Sequence, residues 1–355
     1  MQSNKLLLTI AIPTYNGGDN LIRAIQSCKY IDLPPEEYEI LIVDNCSSDG
    51  SIEKVQELTS YFKNIRLYRN EKNIGRIGNW NRCLDLAQGR YLLFLFSNDY
   101  INRGFSFRKI IEIALSENYP TVMFNTLYSD GSKSRVFYHY IPGRWELKDF
   151  IERYFVKNMA SLGILQSHIF DLSLIKKKNI RFNSNIDRTT DRVFIFDVIN
   201  SRGYFYFVNE VGTVWSLTKN RYHYSVHLNV DEINPEDLYK YFYNSWIQEM
   251  IADFYILKNI GYDDETTYKI FFTYILKTYY LNSIKLLLKR KYSSIDEITL
   301  DIFSKYLEKY GKLKGFPVIR LKSLAFLEAL YHIINKVINK VLKRIDLNPK
   351  LLRYT

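Results

Sequence analysis

The chain has 355 residues, enough for one large or two modest domains with an ample core. Its apolar share of 47 % is ordinary for a globular protein and excludes a chain left disordered by composition. A formal net charge of +11 points to a polyanionic partner, which is a nucleotide, a nucleic acid or an anionic lipid surface.

The N-terminal apolar run ends at Pro13 and has no small-residue cleavage site, so it reads as a strand and not as a signal peptide. No window approaches the ~18–20 apolar residues of a spanning helix. Cys28, Cys46 and Cys83 are odd in number and lack metal-ligand spacing, which argues for a reducing compartment and against a disulfide framework. A cytoplasmic protein, soluble or peripheral on the inner face of the membrane, is expected.

In chain order, Leu6 to Ile12 is a first strand, and Asn20 to Tyr30 has helical spacing through Leu21, Ala24, Ile25 and Cys28. Glu39 to Val43 is a buried-type strand ending in a polar cluster from Asp44 to Gly50, followed by a helix over Ser51 to Phe62. A strand at Ile65 to Tyr68 and a helix at Ile77 to Ala87 come next, with Gly89 just beyond its end. Then comes YLLFLFSNDY, Tyr91 to Tyr100, in which a strand-like apolar run meets Ser97-Asn98-Asp99. This alternation predicts a parallel sheet with helices on its faces. Ligands bind beyond the carboxyl ends of such strands, so Asp99 stands where a carboxylate meets a metal or a phosphate. Asn-Asp after a strand is also common turn chemistry.

After Phe105 the pattern changes. A helix through Ile110, Ile111 and Ala114 leads to a strand at Thr121 to Asn125, and Asp130-Gly131 suggests a hairpin. Leu147 to Val156 reads as helix, Gly163 to Phe170 as extended, and Arg192 to Asn200 as helix. Tyr204 to Val208 and Val211 to Leu217 read as two short antiparallel strands. From Pro235 helical periodicity dominates, which places a boundary near Asn229. The expected domains are thus 1–229, with halves 1–104 and 105–229, and a helical region over 230–355.

No G-x-G-x-x-G turn follows the first strand and no Walker A sequence appears, so a nucleotide must be held by side chains and metal. The segments TIAIPTYNGGDNLIRAI, EILIVDNCSSDGS and NEKNIGRIGNWNRCLDLAQGRYLLFLFSNDY resemble the donor half of family 2 glycosyltransferases of the bacterial surface-polysaccharide type. The resemblance implies a GT-A fold, a mostly parallel sheet flanked by helices. It also implies an inverting transfer of sugar from a nucleotide-diphosphate sugar, with UDP as the expected carrier.

By position, Pro13, Tyr15 and Asn16 would border the nucleoside, and Asp44 would hydrogen-bond the base. Asn73, Gly75, Arg76 and Asn79 match an N-x-G-x-x-x-N segment, with Arg76 as the diphosphate contact. Asp99 matches the last acid of a D-x-D metal site for Mg²⁺ or Mn²⁺, with Asn98 where a second Asp is more usual. In Asn185 to Ile195, Thr190-Asp191 occupies the place of a Glu-Asp pair, so Asp191 is the expected catalytic base; a helix cap is its other reading. His223 resembles part of a loop that closes over the donor and would help bind metal or phosphate, or is a surface histidine.

The implied acceptor is a hydroxyl of a growing glycan or of a polyprenyl-diphosphate-linked oligosaccharide. A sugar-phosphate nucleotidyltransferase is the alternative, but no Lys or Arg precedes Arg23 after the first strand. Nucleic acid is not an expected partner, because no RNA- or DNA-binding module is recognisable. From Leu327 to Ile345 an apolar face opposes Lys336, Lys340, Lys343 and Arg344. That helix either packs on its own domain or lies on an anionic membrane.

Overall fold

The computed structural model describes residues 6–129, 134–136, 138–155, 162–184, 189–216, 252–253, 255–263 and 266. The boundary near Asn229, His223 and the amphipathic tail lie outside them. Among the described residues, no helix is long and apolar enough to cross a membrane.

The strands are β1 (Leu8–Thr14), β2 (Tyr38–Asp44), β3 (Ile65–Arg69), β4 (Tyr91–Phe94) and β5 (Tyr100–Ile101). They continue as β6 (Thr121–Ser129), β7 (Ser134–Val136), β8 (Gly143–Glu146), β9 (His168–Asp171) and β10 (Tyr204–Ser216). The helices are α1 (Gly18–Ser27), α2 (Ser51–Leu58), α3 (Gly75–Leu86), α4 (Phe107–Ser116), α5 (Leu147–Phe150), α6 (Leu172–Lys178) and α7 (Thr190–Asn200). They flank one sheet of order β3-β2-β1-β4-β9-β6-β10-β5, with β7 beside β6 and β8 beside β10.

The first four strands of that order are parallel. β1 and β2 are buried along their whole length, as their continuous apolar runs require. Ile10, Ile12, Ile40, Ile42 and Leu93 share one core with Leu21 and Ile25 of α1. Burial of each such side chain contributes roughly 1.5–3 kcal/mol. Beyond β4 the sheet becomes mixed, because β9 runs antiparallel to both β4 and β6. The mostly parallel, helix-flanked architecture expected from the sequence is the one observed.

Three local expectations change. Tyr204 to Ser216 is one strand, parallel to β6, and not an antiparallel pair. The chain bulges at Asn209-Glu210 instead of turning, and Asn125 Nδ2 donates to Asn209 Oδ1 across the bulge. Gly212 then lets the backbone pass over the Phe124 ring, where a Cβ would stand 2.5 Å from it. The helix expected from Leu147 to Val156 is one α-turn that widens into a π-turn over Ile151–Phe155. In the stretch read as extended from Gly163, Leu165–Ser167 is a 3₁₀ turn and only His168 onward is strand.

Candidate active site

β1, β2, β3 and β4 all end at one edge of the sheet, and the loops leaving them are tied into a single rim. Pro13 is buried in β1 opposite Val43, and beyond it Tyr15 turns out, 52 % exposed. Asn16 is left-handed at φ 51°, a conformation asparagine tolerates. Its N–H donates to Ser47 Oγ at 2.8 Å, and its Oδ1 accepts from Ser48 N at 3.0 Å. The Ser47 hydroxyl and N–H in turn donate to Asp44. Asp44 is fully buried at the end of β2, with Arg69 Nε 3.3 Å from its Oδ2.

The loop after β3 is sewn to the same rim by amides. Asn45 Nδ2 donates to Asn73 Oδ1 at 2.7 Å, and Asn45 Oδ1 accepts from Ile74 N and from Asn70 Nδ2. Asn79, buried on α3, donates to Val43 O and accepts from Asn70 Nδ2. Gly75 opens α3 at φ +77°. At the centre, Gly17 has no room for a side chain: a Cβ there would lie 2.5 Å from Thr14 Oγ1 and 3.4 Å from Ser97 Cβ. Thr14 Oγ1 is buried without a hydrogen-bond partner among the described residues. Such orphans are rare enough in folded proteins to need a reason, and a bound ligand is one.

Beyond β4, Asn98 is half-buried and its carbonyl accepts from Arg23 at 2.7 Å. Asp99 is fully buried. Its Oδ2 accepts from Gln166 Nε2 at 3.1 Å and its Oδ1 from Ser216 N at 3.3 Å. A divalent cation here would be held by the Asp99 carboxylate together with oxygens of a bound donor. Each carboxylate oxygen takes an N–H donor and carries two lone pairs, and no three His, Cys, Asp or Glu side chains converge among the described residues. Gln166 was not foreseen as a site residue. Its signal is present in the sequence, because Gln166-Ser167-His168 is a polar interruption of an apolar stretch and all three are buried.

Arg76 of α3 is near enough to Asp191 of α7 for its charge to act on that carboxyl. The Arg76 guanidinium lies 5.0 Å over the Trp80 ring. Trp80 packs on Phe96 at 5.2 Å, just before Ser97, and edge-on to Phe182 at 5.3 Å. Phe182 stacks on Phe194 of α7 at 4.0 Å, and its backbone exchanges two hydrogen bonds with the Asn81 amide. Through Phe182 this wall of rings links Trp80 of α3 to Phe194 of α7. Burial holds the Asp191 carboxyl above the usual carboxylate range, against the Arg192 N–H bond to Oδ1 and the positive charges of Arg192 and Arg76. A half-buried carboxylate with a raised proton affinity, faced by an arginine, suits a general base next to an anionic leaving group.

Residues 9–176 match the family described as Glycosyl transferase family 2. A poly(ribitol-phosphate) beta-glucosyltransferase of Bacillus spizizenii is 25 % identical over 65 % of this chain and 35 % of its own length. The poly(ribitol-phosphate) beta-N-acetylglucosaminyltransferase TarS of Staphylococcus aureus is 22 % identical over 65 % of this chain and 38 % of its own. The matched stretch thus spans little more than a third of either relative. The crystal structure of S. aureus TarS 1-349 in complex with UDP-GlcNAc superposes with TM-score 0.51 and 17 % identity, over 72 % of this chain and 71 % of that one. A mannosyltransferase from Pyrobaculum calidifontis, in complex with GDP-Man and Mn²⁺, gives 0.52 and 14 % over 92 % and 81 %. These two likenesses show the fold.

Proposed function

We propose that this chain, whose residues 9–176 match the Glycosyl transferase family 2 model, transfers a sugar from a UDP-sugar to a hydroxyl of a cell-surface polymer, with inversion at the anomeric carbon. The observation that carries this reading is the tied rim of loops at the ends of β1, β2, β3 and β4, with the Thr14 hydroxyl, unpartnered among the described residues, at its centre and Arg76 held over Trp80 beside it. Tyr15 offers an exposed ring for the base, with the Asp44–Ser47–Asn16 chain next to it. Thr14 Oγ1 is a hydroxyl for the donor to satisfy. Asn73, Gly75 and Asn79 hold the rim that presents Arg76 to the diphosphate.

Asp191 takes the proton of the acceptor hydroxyl as its oxygen bonds to the anomeric carbon. The bond from that carbon to the diphosphate breaks on the opposite face, and the diphosphate leaves with the electron pair. Arg76 stabilises the charge that develops there. The names of the Bacillus and Staphylococcus relatives support a polyol-phosphate polymer as acceptor, and the net charge of +11 suits an anionic one.

A screen of UDP-, GDP- and dTDP-sugars tests the reading. One nucleotide class should raise the melting temperature and be released as free diphosphate; at a hundredfold excess over Kd the stabilisation is about 2.7 kcal/mol. Release of pyrophosphate from nucleoside triphosphate and sugar phosphate would overturn it in favour of a nucleotidyltransferase.

A further inference from the structure

Asp191 is followed by Arg192 in the first turn of α7, where the helix dipole disfavours a cation. The Arg192 side chain reaches Asp253, with Nη1 2.6 Å from Oδ1, and Asp253 is fully buried. A buried carboxylate is costly, and its pairing commonly contributes no more than apolar packing would. An arginine against the dipole, joined to a buried aspartate from sixty-one residues away, is thus a poor device for stability alone. The same later segment holds α7 at further points. Tyr255 donates its hydroxyl to Asp197 Oδ1 at 2.9 Å, Asn200 Nδ2 donates to Asn259 O, and Val193 packs on Ala252 and Tyr255.

We propose that Arg192 is a positioning residue for the reaction, and that Asp253 anchors it so that a fixed, compensated charge stands beside Asp191 without neutralising it. The segment 252–259 thereby completes the electrostatics of the site from beyond the matched domain. This rests on the reading of Asp191 as the base. The charged and titratable groups that act on Asp191 among the described residues include Arg76 of α3, Arg192 of its own helix and Tyr138. Asp253 compensates Arg192 from the later segment. The two members of the pair act with opposite sign. Neutralising Arg192 removes a positive charge and raises the proton affinity of Asp191. Neutralising Asp253 removes a negative charge from beside Arg192 and lowers that affinity.

The full chain, with ¹³C-labelled aspartate carboxyls and Asp191 assigned by its loss in Asp191→Asn, gives the titration midpoint of Asp191 directly. Arg192→Gln should move it up and Asp253→Asn down, each by roughly one pH unit, and the double variant should return it close to the starting value. The acid limb of the pH–rate profile for UDP release from UDP-GlcNAc should move with it. Asp253→Asn keeps an acceptor for Arg192 and so should fold. If Arg192→Gln does not, the double variant compared with Asp253→Asn isolates the same charge and should lie higher. Midpoints that stay put, or move in one direction for both variants, overturn the proposal. Wild-type turnover in Asp191→Asn would instead remove the base itself, so the two failures are distinct.

Discussion

The nucleotide edge and the α7 flank are built by different means. At the edge, short polar side chains and backbone N–H groups tie together loops that each begin within a few residues of a strand end. Asn16, Asn45, Ser47, Asn70 and Asn73 do this work around the buried Asp44 and its Arg69 partner. On the flank, aromatic rings and ion pairs bring distant segments together. Trp80 meets Phe182, and Arg192 meets Asp253. The contrast teaches that one end of the site is preorganised by local geometry, which suits a constant nucleotide. The other end depends on tertiary packing, so the proposed base, Asp191, answers to the rest of the chain.

The sharpest way to break this contrast is Trp80→Ala. Trp80 joins the two regions and is 8 % exposed, so its loss should cost about 3–5 kcal/mol, read by chemical denaturation. A loss under about 1 kcal/mol would mean that the flank does not depend on packing. Arg76→Ala comes next and should lower transfer by about 10²–10³-fold, the size expected when one charge-stabilising group is removed. Because Asp99 is the one carboxylate at the end of β4 among the described residues, a cation there would lean on donor oxygens, so EDTA should weaken donor binding less than Arg76→Ala does. A larger loss with EDTA would place a cation at Asp99.

Asn79→Ala probes the edge. It frees Val43 O and Asn70 and should cost about 1–3 kcal/mol. Donor affinity should fall while turnover at saturating donor stays, because the rim and not the base is disturbed; a fall in kcat alone would reverse that assignment. The smallest effect belongs to Asp197, whose carboxyl burial pushes from the ordinary 3.8 up to about 6. Its ionised form is disfavoured in the fold, so stability falls as pH rises from about 4 to about 6 and is level above. Asp197→Asn keeps an acceptor for Tyr255 and should raise the melting temperature at pH 7, with the gain gone below pH 4. An equal gain at both pH values would contradict burial as the cause.

This division also explains what the sequence made legible. The parallel strands and the polar clusters at their ends could be read because each is a continuous run with its own punctuation, as in VDNCSSDG after β2. Asp191 could be placed at the start of its helix because Asn185 to Ile195 resembles a segment that carries a Glu-Asp pair there. Gln166 was missed because its partner, Asp99, lies sixty-seven residues earlier, and no periodicity links a 3₁₀ turn to a strand end. Asp253 was missed for the same reason. The single strand through Asn209-Glu210 read as two because a bulge and a turn use the same polar residues, and only pairing with β6 separates them.

The central claim is that Asp191 removes the acceptor proton while the edge, built without it, holds the donor. The direct measurement is Asp191→Asn in the full chain, with donor-induced thermal stabilisation and transfer rate read on the same preparation. Transfer should fall by about 10²–10⁴-fold, the contribution of a positioned general base, with the stabilisation unchanged. Turnover near that of the parent chain with unchanged donor binding would contradict the account.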